Sequence, residues 1–295
     1  MRQTRLGTFN VGAISYGCWR FADSTTREAR EKIETALDVG MTLIDTADIY
    51  GFGQPCGFGG AESVLGDVIA EAPELRARMV VATKGGIIPP RPYDSSYDYL
   101  VAAAEASLKR LRIDQIDLYQ IHRPDLTAPV EETARTLNDL VASGKVKHIG
   151  VSNFTVPQTR ALQAHLDTRL VSTQPEFSAV RQDPITDGTL DWCSETGAAC
   201  LAWSPLGGGR LAAGKAADAR EERVYKALAK MANRLGTSVA TAALAFTMKH
   251  QANVIPIIGT QTPARIREAA GAAELDISAR DFYDIIEAWR GGSMP

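Results

Sequence analysis

Thr42-Leu43-Ile44-Asp45-Thr46-Ala47-Asp48-Ile49-Tyr50-Gly51 opens as a short apolar strand and breaks into a polar loop at Asp45. The same event recurs downstream. Val80-Val81-Ala82-Thr83 runs into Lys84, Leu118-Tyr119-Gln120-Ile121 into His122, and Ile149-Gly150-Val151 into Ser152-Asn153. Each time a buried-strand pattern ends on a side chain capable of chemistry. In a parallel barrel the strand ends share one face, and that face carries the functional site. The pattern therefore predicts a surface where Asp45, Tyr50, Lys84 and His122 meet.

Outward from this stretch, the rhythm fills the chain. A weak alternation over residues 5–17, around Gly7 and Gly12, predicts an N-terminal hairpin leading into a first strand at 13–16. Ser24-Thr25-Thr26 offers a helix cap, and Gly40 stops the helix that follows. Further strands are predicted at 42–44, 79–83, 116–121, 146–151, 170–173, 199–203 and 253–256. Helices are predicted near 61–70, 94–111, 129–142, 156–166, 187–196, 220–235, 238–249 and 263–273, with an extra C-terminal one at 278–290. Eight strands, each followed by a helix, predict an α/β fold of the (β/α)8 TIM barrel type. No linker or composition shift divides residues 1–295, so one domain is expected. The alternative, an open doubly wound sheet, needs a Gly-x-Gly-x-x-Gly turn after its first strand. Gly17-Cys18-Trp19-Arg20-Phe21 does not supply it, and Gly207-Gly208-Gly209 comes too late.

The 295 residues suit one such barrel, and a net charge of −3 argues against general affinity for nucleic acid or acidic membranes. Cys18, Cys56, Cys193 and Cys200 show no metal-ligand spacing and read as free thiols of a reducing cytoplasm. No metal site is expected. The N-terminus leads into no long apolar run, which predicts no signal peptide, and no stretch is long enough to span a bilayer.

Each of the four residues has a plain structural alternative. Asp45 could cap a turn, Tyr50 could be a half-buried loop aromatic, and His122 could be hydrogen-bonded in the core. Lys84 directly after an apolar strand is the odd one, because a lysine there must be desolvated or paired. Their convergence on one face is what chance explains poorly. Together they form an acid catalyst. A phenol is a weak acid with a reference pKa of about 10. An ammonium nearby stabilises the phenolate. Asp45 would hold Lys84 in place, and His122 would bond the substrate oxygen beside Tyr50. Such a site protonates an oxygen while hydride reaches the carbon, and since no side chain donates hydride, a nicotinamide is implied.

Asp45-Thr46-Ala47-Asp48-Ile49-Tyr50-Gly51, Ala82-Thr83-Lys84, Ile121-His122-Arg123-Pro124, Gly150-Val151-Ser152-Asn153-Phe154 and Trp203-Ser204-Pro205-Leu206-Gly207-Gly208-Gly209 resemble the aldo-keto reductase superfamily, especially its bacterial, non-steroid branches. The resemblance runs from about Gly12 to Ala270, with the motifs in order. It implies an eight-stranded barrel and NADPH-dependent reduction of a small carbonyl substrate. It casts Tyr50 as proton donor, with Asp45, Lys84 and His122 completing a tetrad. It assigns Ser152, Asn153 and Gln174 to the carboxamide and Trp203 to stacking on the nicotinamide. Ser204, Leu206, Gly208 and Arg210 fall where the family wraps the pyrophosphate, a glycine-rich turn bringing N–H groups close to an anion. Gly17, Trp19 and Asp45 are also placed on the cofactor side.

At the adenosine end the resemblance assigns Gly259, Thr260 and Arg265. Many family members carry a lysine where this chain has Gly259, so a preference for NADPH with some use of NADH is expected. Trp19, Arg20, Tyr50, Ile87, His122, Arg123, Phe154 and the 52–60 loop are candidates for the substrate pocket. The chain ends soon after its terminal helix, without the long tail of steroid-reducing relatives, which implies an open pocket. A monomer or weak homo-oligomer is expected. Two other functions compete: a Schiff-base aldolase with Lys84 as nucleophile, and a cofactor-binding regulatory subunit with little turnover.

Overall fold

The structure is a computed structural model and describes residues 1–295. An antiparallel hairpin, β1 (Gln3–Leu6) and β2 (Phe9–Gly12), precedes eight parallel strands: β3 (Ser15–Gly17), β4 (Leu43–Asp45), β5 (Val80–Gly85), β6 (Ile116–Ile121), β7 (Val146–Ser152), β8 (Ser172–Gln174), β9 (Ala199–Ala202) and β10 (Val254–Ile258). These eight close into a barrel, β10 pairing with β3. Around it lie α1 (Thr26–Asp38), α2 (Gly60–Glu71), α3 (Pro73–Arg76), α4 (Tyr97–Leu111), α5 (Val130–Ala142) and α6 (Val156–Gln163). They are followed by α7 (Thr189–Thr196), α8 (Arg210–Ala213), α9 (Ala219–Leu235), α10 (Val239–Met248), α11 (Pro263–Ala270) and α12 (Ala279–Arg290). No helix is long and apolar enough to cross a membrane.

The barrel interior explains where the site lies. Side chains in a strand alternate between its two faces. Leu43, Val80, Ala82, Leu118, Ala199, Leu201, Ile255 and Ile257 share one apolar cluster inside the barrel. Leu6 and Val11 of the hairpin join that cluster, so the hairpin closes the barrel at its N-terminal end. Carrying the inward phase two residues further along each strand reaches Asp45, Lys84, Trp203 and Gly259. The sheet register agrees, since Gly17 lies beside Asp45, Asp45 beside Ala82, and Ser152 beside Gln174. The interior thus changes from aliphatic to polar towards the C-terminal ends of the strands.

The outward faces pack on the helices in two larger clusters. Helix α1 begins at a reciprocal cap between Thr25 and Glu28, as the Ser24-Thr25-Thr26 signal predicts. Several boundaries differ from the sequence reading. Asp45 is the last residue of its strand, not the first of a loop, and Lys84 lies inside β5. Helix α4 begins at Tyr97 instead of 94, because Asp94 turns back onto the Ser96 N–H. The eighth barrel strand runs on to Ile258, pairing with Tyr16.

Candidate active site

Lys84 has no exposed surface, and its ammonium donates to Asp45 Oδ2 at 2.8 Å and to the Thr46 carbonyl at 2.6 Å. Its third contact is the Tyr50 hydroxyl at 3.4 Å. Burial alone would lower the lysine's pKa, but Asp45 and Tyr50 outweigh it and the net shift is upward. The ammonium therefore stays charged. Gln174 donates through Nε2 to Asp45 Oδ1 at 3.0 Å, so both carboxylate oxygens are held. Tyr50 stands at the cavity wall, its ring edge-on to His122 with centroids 5.9 Å apart.

One expectation changes here. Burial raises the Tyr50 pKa and Asp45 adds to the rise, while Lys84 pulls it back only in part. Lys84 acts in the direction expected, but the hydroxyl remains protonated through the neutral range. His122 is pushed well below the ordinary histidine value, first by burial and then by Lys84 and Arg123. It is a neutral imidazole, and its Nδ1 is buried without a protein partner.

A second network holds the wall opposite. Asn153 adopts a left-handed backbone, φ 59°, a conformation asparagine tolerates better than most residues. Its Nδ2 donates to the His122 carbonyl at 3.2 Å and to Ser152 Oγ at 2.9 Å, and its Oδ1 accepts from Trp203 Nε1 at 3.1 Å. Ser152 Oγ in turn donates to the Gln174 carbonyl at 2.9 Å. The sequence reading placed Ser152, Asn153 and Gln174 at this face; it missed that all three are bonded to one another or to Asp45 and Trp203. Only the register of β7 against β8 could have signalled this.

The cavity is about 1230 Å³ and runs from Tyr50 and His122 past Trp203 to the first turn of α11. Gly17, Trp19, Arg20, Arg123, Ser204, Leu206, Gly208, Gly259, Thr260 and Arg265 all line it. Gly207, Gly208 and Gly209 have φ of 58°, 67° and 94°. This backbone suits glycine, and such a turn can aim N–H groups at an anion. A dinucleotide cofactor fits these features: an aromatic wall, a polar pair at its edge and a glycine turn beyond.

Three of the assigned residues lie outside the cavity lining. Arg210 does not line the cavity; its Nε and Nη2 grip Glu221 at 3.0 and 2.5 Å, which neutralises the charge. Ile87 bridges to Tyr93, away from the cavity lining. Phe154 also lies outside the lining and packs against the main core.

Beneath the tetrad is a cluster the sequence reading passed over. Glu62 has no exposed surface and holds Arg110 at 2.7 Å and Thr83 Oγ1 at 2.5 Å. Beside it Asp48 is wholly buried, and neither of its carboxylate oxygens has a partner. Burial, then the Glu62 charge, raises the Asp48 pKa well above the usual carboxylate range.

Residues 13–290 match the aldo/keto reductase family. The chain belongs to that family. It is 48% identical to a 6-dehydroglucose reductase of Novosphingobium aromaticivorans, over 97% of this chain and 94% of that protein. A 6-dehydroglucose reductase of Agrobacterium fabrum is 36% identical, over 93% of each chain. The crystal structure of a thermostable aldo-keto reductase, Tm1743, in complex with the inhibitor epalrestat superimposes with a TM-score of 0.85 at 27% identity, covering 98% of this chain and 100% of that one. The chain is therefore an NAD(P)H-dependent oxidoreductase of the carbonyl-reducing class.

Proposed function

We propose that this enzyme reduces a small aldehyde or ketone to the alcohol, with NADPH as preferred reductant, NADH as a weaker one and Tyr50 as proton donor. The observation that carries the reading is the chain of contacts from Gln174 through Asp45 and Lys84 to the Tyr50 hydroxyl at the cavity wall. Trp203 would hold the nicotinamide, which when bound would supply hydride to the carbonyl carbon. Tyr50 gives its proton to the carbonyl oxygen, and Lys84 steadies the phenolate left behind. His122, neutral and beside Tyr50, donates a hydrogen bond to the same oxygen. Ser204, Leu206 and Gly208 present the turn for the pyrophosphate, while Thr260 and Arg265 receive the 2′-phosphate. The likeness to two 6-dehydroglucose reductases makes a sugar aldehyde the first substrate to test. Trp19, Arg20 and Arg123 would face its hydroxyls. We further propose one domain over residues 1–295, a cytoplasmic location, and a monomer or weak homo-oligomer.

The aldolase alternative is disfavoured by Lys84 itself. A Schiff-base lysine must reach the substrate as a free amine. Here it is charged, bonded to Asp45, Thr46 and Tyr50, and absent from the cavity lining. A regulatory subunit is separated from an enzyme by NADPH oxidation with 6-dehydroglucose and a panel of small aldehydes.

Tyr50→Phe tests the donor. It keeps the ring and removes the proton, so turnover should fall about 10²–10⁴-fold, the usual worth of a general acid. Cofactor affinity should be unchanged by fluorescence titration. Near-normal turnover would move the donor to His122.

A further inference from the structure

Lys32, on α1, is a buried cation that the reaction does not use. Only 9% of its surface is exposed, yet no carboxylate lies within ion-pair distance of its ammonium. A buried lysine is ordinarily paired, because desolvating the charge is costly. Glu28, one turn earlier, is committed to capping Thr25 at 2.9 Å. The ammonium has three donors. It spends one on Ser24 Oγ at 2.8 Å and one on Gln261 Oε1 at 2.9 Å, and sits 5.7 Å from the centre of the Phe21 ring.

Gln261 is the middle of the turn that closes the adenosine end of the cavity. Its Nε2 donates to the Gly259 carbonyl at 3.2 Å, and Arg20 Nη1 reaches the same carbonyl at 3.0 Å. Gly259 itself brings no side chain. Lys32 and Arg20 also face an adjoining polar cavity of about 440 Å³, which shares Trp19, Arg20 and Gln261 with the main one. Asp23 and Glu28 line that side cavity too, but neither pairs with Lys32. Two cations therefore converge on the back of the turn whose flanking residues, Thr260 and Thr262, line the cofactor cavity with Arg265.

We propose that Lys32 is a positioning residue for cofactor specificity: through Gln261 it fixes the 259–262 turn, and its unpaired charge favours the 2′-phosphate of NADPH over the bare ribose of NADH. The proposal rests on the NADPH reading above. It is tested by titrating Lys32→Met, Lys32→Arg and Arg265→Ala with NADPH and with NADH at low and high salt. Lys32→Met should weaken NADPH about three- to tenfold and NADH by less than about twofold, a charge effect that shrinks as salt rises. Lys32→Arg should restore most of the selectivity. Equal losses for both cofactors, unchanged NADPH affinity, or no rescue by arginine would overturn it. If Lys32→Met does not fold, Gln261→Ala cuts the link while keeping the charge: a loss confined to NADPH supports the proposal, an equal loss overturns it. A selective effect of Arg265→Ala without one at Lys32 sinks only the Lys32 role. If wild type binds both cofactors equally and Arg265→Ala is unselective, the NADPH reading itself fails and takes this one with it.

Discussion

The two ends of the cavity are built differently. At the Tyr50 end nearly every polar side chain is already committed: Asp45 to Lys84 and Gln174, Asn153 to Trp203, His122 and Ser152. At the α11 end Thr262 makes no side-chain cap, and Arg265 is exposed with no acidic partner. Its acidic neighbours do not pair with it: Glu274 faces the N-terminus, and Glu268 has no ion pair. Reaction chemistry requires groups fixed before the transition state, since reorganisation during the step costs rate. Recognition of a phosphate requires free donors. A rigid end and an open end are what those two tasks ask for.

The rigid end should break hardest. Lys84→Met removes the charge on which Asp45 and Tyr50 converge. Removing one partner of a buried ion pair costs about 3–5 kcal/mol. Urea denaturation should show a loss of that size, and carbonyl reduction should fall by more than about 10²-fold, because the phenolate loses its only cation. The pH dependence sharpens the point. Tyr50 is held above 10, so reduction by wild type should not lose its acid before the alkaline range. Alcohol oxidation, which needs the phenolate, should rise with pH. In Lys84→Met that rise should move further to alkaline pH. An unmoved oxidation limb with normal stability would remove Lys84 from the site.

This end was also the more legible in sequence. Asp45, Lys84, His122 and Ser152 announce themselves because strand ends of a barrel are fixed by a period of two and a short run of aliphatic residues, whereas Gln174 and Trp203 are reached only through the family resemblance. The eightfold alternation could be read from local patterns alone. What stayed hidden depends on contacts between distant segments. Arg210 looks like an anion ligand until Glu221, eleven residues on, folds back onto it. Phe154 looks like a pocket wall until the core beneath it is known. Lys32 sits in a helix with an ordinary polar pattern, and its tie to Gln261 spans 229 residues. Nor could the sequence reveal that burial outweighs Lys84 in setting the Tyr50 acidity, because desolvation depends on everything that surrounds the ring.

The open end should break selectively and more gently. A hydrogen bond to a charged group is worth roughly 1.5–3 kcal/mol. Arg265→Ala should therefore weaken NADPH about ten- to a hundredfold, at about 1.4 kcal/mol per decade. NADH affinity should barely move. The variant should keep its thermal stability, because an exposed, unpaired arginine supports little structure. A drop in melting temperature together with equal losses for both cofactors would erase the contrast between the two ends.

The smallest effect tests an unpartnered carboxyl at the rigid end. Asp48 donates its backbone N–H to the Lys84 carbonyl at 3.0 Å, but its carboxyl is buried with neither oxygen bonded. Its pKa is raised well above the usual carboxylate range by burial and then by Glu62, so folding favours the neutral acid. A raised folded pKa gives stability that is fully present below the unfolded value and is lost as pH rises through the folded one. Asn is nearly the same shape and does not titrate. Asp48→Asn should therefore match wild type within about 1 kcal/mol near pH 4, where the side chain is uncharged in both proteins, a surface-sized change despite full burial. As pH rises the variant should gain on wild type, since only the wild-type unfolded state releases a proton. Turnover should be unaltered, because the bond to Lys84 runs through the backbone. Melting temperatures of the two proteins measured across pH 4–8 decide the matter. A constant difference would mean that Asp48 ionises in the fold as it does in the unfolded chain, and that its carboxylate has found a partner after all.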